Sequence, residues 1–275
     1  MLWLLRRSLG ACLDDGCFGY AKGAAYSALL AFFPVIAAVT TILVQARAEV
    51  VLIPLRRALE EIAPPETGDL IVERFRFSGA QPVYVLVVAI LIALWAASGV
   101  YKSLMEGFQA AYRIPRSRGF LHQNGVAIAL VLASAIPLLA ASLLIIFGSE
   151  LERVVLQSLN MDPFLVPITP VWHWLSRVVR YLVAFGATVS VTAVIYYFGP
   201  YRRQRWHYVW PGALLATGLW LPATSGFGWY VRNVAHYNVM YGSIGAGVAL
   251  LVWMYVMAVI ALLGCEFNAV YERIA

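Results

Sequence analysis

YGSIGAGVALLVWMYVMAVIALLGC, residues 241–265, decides the fold. From Ile244 to Cys265 this stretch carries no charge, and an α-helix of that length, rising 1.5 Å per residue, spans roughly 30 Å, the thickness of a bilayer's hydrocarbon core. Its opening offers small side chains at Gly242, Gly245, Ala246 and Ala249, a spacing that lets a second helix approach closely. Glu266 follows at once, at the depth where apolar solvent gives way to water, and is either an interfacial anchor or part of a site.

The rest of the 275-residue chain has the same character. It is 62% hydrophobic and 12% charged, where a soluble domain carries about 25% charged residues, and its mean hydropathy is +0.77. Apolar runs at 24–44, 83–101, 125–147, 178–198 and 209–230 precede the run at 244–265. The runs are continuous rather than alternating, and lipid leaves no partner for an open backbone group, so each is expected as a helix. The expectation is an all-α fold, a single membrane domain over residues 1–275 with six transmembrane helices. A cleavable signal peptide is not expected, because the apolar stretch before Leu9 is short and Asp14 and Asp15 follow it.

Basic residues set the expected orientation, since cytoplasmic segments accumulate Lys and Arg. Arg6, Arg7 and Lys22 precede the first span, Arg113, Arg116 and Arg118 follow the second, and Arg202, Arg203 and Arg205 follow the fourth. Six spans put all three groups, and both termini, in the cytoplasm. The segment after the third span, with Glu150, Glu152, Arg153 and Asp162, is then an outer loop. In the first outer loop, Leu52, Leu55, Leu59 and Ile62 recur on one helical face opposite Arg56, Arg57, Glu60 and Glu61, until Pro64 and Pro65 stop the pattern. This predicts an amphipathic outer-loop helix, which either shelters an entrance or packs on lipid headgroups.

The net charge of +6 fits a basic inner surface against anionic lipid and calls for no nucleic acid. Cys12, Cys17 and Cys265 read as free thiols, and neither a metal site nor a cofactor is expected from them. Pro34, Pro137 and Pro222 fall inside apolar runs, where kinks can line a cavity. Tyr26 is placed to join such a cavity, whereas neighbouring Ser27 more simply bonds back to its own helix.

Four blocks carry a resemblance. They are DDGCFGYAKGAAYSALLAFFPVIA from Asp14, LMEGFQAAYRIPR from Leu104, GPYRRQRWHYVWPGALLA from Gly199, and YGSIGAG with LLGCEFNAVYER near the end. In that order they resemble the YihY/BrkB family of bacterial inner-membrane proteins, with Cys265 standing where a small residue such as alanine is more usual. The resemblance implies six spans and an inner-membrane location. It implies no settled activity, since the family has carried a ribonuclease BN label alongside an association with virulence and envelope integrity.

The ribonuclease label can be weighed against its chemistry. Metal-assisted phosphodiester hydrolysis needs several His or carboxylate ligands converging on one point. The expected topology puts His122 and His207 inside and His173 and His236 outside, and no catalytic motif is present, so no enzyme is expected. What remains are the polar groups that a membrane makes costly. Lys102 and Glu106 share a helix face and end the second span at the depth of Glu266 and Asn268. These four are expected to meet, as an inner gate, a headgroup pocket or a structural clasp of helix ends. Arg180, near the outer end of the fourth span, either snorkels or binds an anionic group. The function expected is non-enzymatic transport of an amphiphilic or anionic, lipid-like substrate. The alternative is an envelope scaffold that binds other envelope proteins through the outer loop. Membrane lipids are the expected partners, and an oligomer is compatible with the sequence.

Overall fold

A computed structural model of the chain describes residues 2–45, 83–115, 118–158, 170–233 and 243–274. The expected outer-loop helix around 52–62 lies outside the described residues. Among those described, the secondary structure is helical throughout: α1 (Leu2–Asp14), α2 (Cys17–Gln45), α3 (Val83–Ala111), α4 (Phe120–Ser158), α5 (Pro170–Phe198), a 3-10 turn (Trp206–Tyr208), α6 (Trp210–Asn233) and α7 (Ser243–Ile274).

Five of these helices, α2, α3, α4, α5 and α7, are long and apolar enough to cross a membrane. The run expected as the fifth of six spans forms α6. Its 24 residues reach roughly 36 Å, but Trp210, Pro211, Gly212, Thr217, Gly218, Pro222 and Gly226 dilute its apolar character. Large apolar side chains cover the outside of the bundle, with Trp95 73% and Phe33 69% exposed. Such a surface would drive association in water and is ordinary in lipid.

Two helices outlast the apolar runs that mark them. The second apolar run ends at 101, and α3 continues to Ala111, which keeps Lys102 and Glu106 on one helix as expected. It stops where Arg113 adopts a left-handed backbone (φ 53°). There the Ile114 N–H bonds to Gln109 O and the Arg113 N–H to Ala110 O, a closing motif usually built on glycine. The third span was expected over 125–147, whereas α4 runs for 39 residues and takes in Glu150, Glu152 and Arg153, which had read as loop. Charge does not by itself end a helix, and residues 150–158 contain no Pro or Gly to break the backbone ladder. Pro34, Pro137 and Pro222 each lie inside a helix, in α2, α4 and α6.

The helices run alternately up and down. Gly23 of α2 faces Ser103 of α3, and Gly99 faces Ser27, so these two are antiparallel. Gly107 of α3 packs on Leu262 of α7. Tyr196 of α5 donates to Ala261 O of α7 at 2.6 Å. One end of the bundle therefore gathers the starts of α2, α4 and α6 and the ends of α3, α5 and α7. Helix α1 docks there too, turning into α2 through Gly16, whose φ of 72° suits glycine. The basic groups around Arg7, Arg113 and Arg203 consequently share this end. Helix α7 is central, packing on α1, α2, α3 and α6.

The core at this end is built from small residues, including Ala21, Ala24, Ala193, Ala213, Ala258 and Ala269, around the edge-to-face pair Phe108–Tyr196. Small side chains bring backbones close, which is how helices gain contact where lipid removes the hydrophobic drive. A close approach joins α6 and α7. A Cβ on Gly264 would come within 2.7 Å of Gly212 O and 2.8 Å of the Ala216 Cβ.

Candidate functional site

The buried polar groups at the shared end arise from the last turns of α7. Glu266 and Asn268 are both fully buried. Being two residues apart on a helix they point about 200° from one another. Glu266 turns toward the α1–α2 junction, where its Oε1 accepts from the Cys17 thiol at 3.6 Å. Its Oε2 is buried with no partner among the described residues. The nearby arginines are engaged elsewhere: Arg113 pairs with Asp15 at 3.6 Å, Arg273 donates to Ala111 O at 2.7 Å, and Arg202 pairs with Glu272.

Asn268 turns toward α6. Its Oδ1 accepts from the Gly212 N–H at 2.6 Å and its Nδ2 donates to Val209 O at 3.0 Å. It thus satisfies one of the orphan donors that every helix start exposes.

Around these groups lies a collar from the two basic loops. Arg118 donates to Phe198 O at 2.7 Å, Gly199 O at 2.9 Å and Pro200 O at 3.3 Å. Gln204 Nε2 donates to Tyr197 O at 2.9 Å and also to Tyr196 O. The last carbonyls of α5 are closed in this way. The Arg202 guanidinium lies 4.6 Å from the centre of the Tyr112 ring. Burial raises the Tyr112 phenol well above its ordinary range, so it remains a neutral donor.

About two turns deeper, roughly 8–10 Å along the helix axes, is a cavity of 380 Å³ bounded by α2, α3, α5, α6 and α7. Ala24, Ala28, Val100 and Leu104 form one side, Trp253, Met254, Met257 and Ala258 another, and Thr192, Ala216, Thr217 and Trp220 complete it. The volume falls within the range of small-ligand sites, about 300–1,000 Å³. No charged side chain lines it. Of its polar atoms, the Tyr101 hydroxyl is bonded to Ser134 at 2.5 Å, and Thr192 donates to Thr188 O at 2.9 Å. Thr217 Oγ1 and Trp220 Nε1 are buried without a partner among the described residues.

The six residues singled out from sequence are dispersed. Glu266 and Asn268 share the bundle end but face different helices. Glu106 is exposed and Lys102 half-buried, and among the described residues no ion pair links either one to Glu266. Tyr26 is 61% exposed and lies outside the cavity lining. Ser27 meets Ser103 across the α2–α3 contact at 3.5 Å rather than its own helix. Arg180 leans back along α5, Nε to Ser176 O at 3.3 Å. The residues that sequence reading missed are Arg118 and Gln204, whose partners are backbone carbonyls, and Thr217 and Trp220, whose i, i+3 spacing on α6 was the available signal.

A family model described as virulence factor BrkB matches residues 9–275. The putative ribonuclease-like protein YfkH of Bacillus subtilis is 28% identical over 184 residues, covering 67% of this chain and 64% of that protein. A UPF0761 membrane protein of Chlorobium luteolum is 28% identical over 261 residues, 92% of this chain and 56% of that protein. Another, from Alkalilimnicola ehrlichii, is 44% identical over 57 residues, 21% of this chain and 13% of that protein. The chain thus spans less than two thirds of the length of each of these relatives. No solved structure matches it.

Proposed function

The chain belongs to the virulence factor BrkB family and is a membrane protein, and from that premise we propose that it binds and moves an amphiphilic, lipid-like molecule in the bacterial inner membrane without altering it chemically. The observation that carries this reading is the 380 Å³ cavity between five helices, apolar, uncharged and placed beside an arginine-rich bundle end. An apolar chamber inside a lipid-embedded bundle suits the chain of an amphiphile. A basic rim suits an anionic headgroup, each exposed Lys or Arg near the surface contributing about 1 kcal/mol.

In this reading α6 also spans the membrane, as the fifth of six, because the up-and-down alternation from α2 to α7 is unbroken, and the arginine-rich end with both termini faces the cytoplasm. Among the described residues, no three His, Cys, Asp or Glu side chains lie together so as to hold a metal ion. The ribonuclease-like name is that of the Bacillus relative.

The test is reconstitution of the purified chain in liposomes, following labelled phospholipid between leaflets. The parent is expected to move lipid faster than empty liposomes, and Ala258→Phe, which fills the cavity, to abolish the excess. A parent no faster than empty liposomes overturns the lipid-transport reading, and an Ala258→Phe variant of parental rate removes the cavity from it.

A further inference from the structure

Thr217 differs from five hydroxyl residues in these helices. Thr41, Ser142, Thr188, Ser190 and Thr192 each donate to the carbonyl four residues earlier, at 2.8–2.9 Å. That closure is the default in lipid, where no water competes and an open hydroxyl is costly. For Thr217 the equivalent acceptor is Ala213 O, one turn back on α6, yet the Thr217 hydroxyl makes no bond although the residue is only 3% exposed. Three residues on, the Trp220 indole N–H is likewise buried and unpaired. An indole nitrogen can only donate. Both residues line the same cavity, and the i, i+3 spacing puts them on one face of α6. Two such groups left unsatisfied in an apolar interior are costly.

We propose that Thr217 and Trp220 form a two-donor subsite that recognises an uncharged acceptor oxygen, the ester carbonyl of an acyl chain lodged in the cavity. Two unpaired donors one turn apart on the face of α6 that lines the cavity call for an acceptor. Its neutrality follows from the lining, which supplies no cation to offset a phosphate or carboxylate in an apolar chamber. Tyr101 and Thr192 are already bonded and do not compete for the carbonyl. Met254 and Met257, unbranched and deformable, provide the opposing wall for the chain itself. The volume, at the low end of ligand sites, admits one chain rather than a whole diacyl lipid, so a charged headgroup stays outside, toward the arginine-rich end. The subsite lies in the cavity on which the transport reading rests and adds to it the chemistry recognised there.

The experiment uses the full chain in detergent micelles with two photo-crosslinking probes of equal length, a diazirine-bearing fatty acid methyl ester and the alkane that lacks the ester. Adducts on the peptides of α6 and α7 are quantified by mass spectrometry. The parent is expected to capture the ester at about tenfold lower concentration than the alkane, one hydrogen bond's worth of selectivity. Thr217→Val and Trp220→Phe should each bring the two probes within about twofold, while alkane capture, unchanged, reports an intact cavity; Thr217→Ser should restore the preference. If the parent captures both probes equally, or the variants keep the preference, the subsite is overturned while the cavity stands. If neither probe labels the cavity peptides, the subsite and the cavity-based transport reading both fall.

Discussion

Asn268 of α7 caps α6 from across the helix interface, its Oδ1 accepting from the Gly212 N–H at 2.6 Å while its Nδ2 donates to Val209 O at 3.0 Å. A helix start normally finds its cap in the preceding residues of its own chain segment. Here the segment before α6 is the 3-10 turn Trp206–Tyr208 followed by Val209, whose apolar side chain can accept no N–H. The cap is therefore a tertiary contact, and it locks the order of α6 and α7.

Replacing Asn268 by leucine keeps the size and removes both bonds. Val209 O keeps the Ala213 N–H at 3.2 Å, so the Gly212 N–H alone is left buried and unpaired, and a loss of about 1–3 kcal/mol is expected. Thermal unfolding in detergent, followed by circular dichroism, checks it. A variant melting with the parent would mean that the α6 start is satisfied in some other way.

The Gly212–Gly264 crossing predicts opposite outcomes for two alanine substitutions. A Cβ at Gly264 meets Gly212 O and the Ala216 Cβ, and a backbone atom cannot turn aside, so Gly264→Ala is expected to cost about 1–3 kcal/mol. At Gly218, also helical, a Cβ meets nothing within 4 Å. Gly218→Ala is expected to be neutral or stabilising, because alanine is the better helix former. Equal melting temperatures for the two variants would contradict the close crossing.

The helices were legible because lipid leaves a continuous apolar run no other backbone solution. Their ends were not. Ala111 ends α3 through a left-handed Arg113, a backbone event that no apolar pattern announces, and α4 runs on past Glu150 because hydropathy marks the lipid boundary rather than the helix end. The sequence signalled that Glu266 and Asn268 were unusual but grouped them by depth. Their two-residue spacing already placed them on different faces, and only the positions of α1 and α6 say what each face meets. Arg118 read as topology-setting charge because its partners, the carbonyls of Phe198, Gly199 and Pro200, have no side-chain signature.

Glu266 is buried with one oxygen on a thiol and the other on nothing, while Arg113, Arg202 and Arg273 are bound elsewhere. A carboxylate so placed adds little stability, since removing a buried charge that lacks a counter-ion is neutral or favourable. Glu266→Gln, of the same shape, is therefore expected to melt at or above the parental temperature. A loss of more than about 1 kcal/mol would reveal a partner that the carboxylate holds and the amide cannot.

Arg118 is expected to be the reverse case, a basic residue whose shape matters more than its charge. Its guanidinium reaches three successive carbonyls at the end of α5, and a planar fork with five donors can do this where a compact ammonium cannot. Arg118→Met should cost about 1.5–3 kcal/mol, the range for hydrogen bonds made by a charged group. It should also speed amide hydrogen exchange in the 3-10 turn that follows, whose approach the arginine holds against α5. Arg118→Lys keeps the charge at the membrane surface. If it restored both stability and exchange protection, charge alone would explain Arg118; the geometry requires that it restore less than half of either.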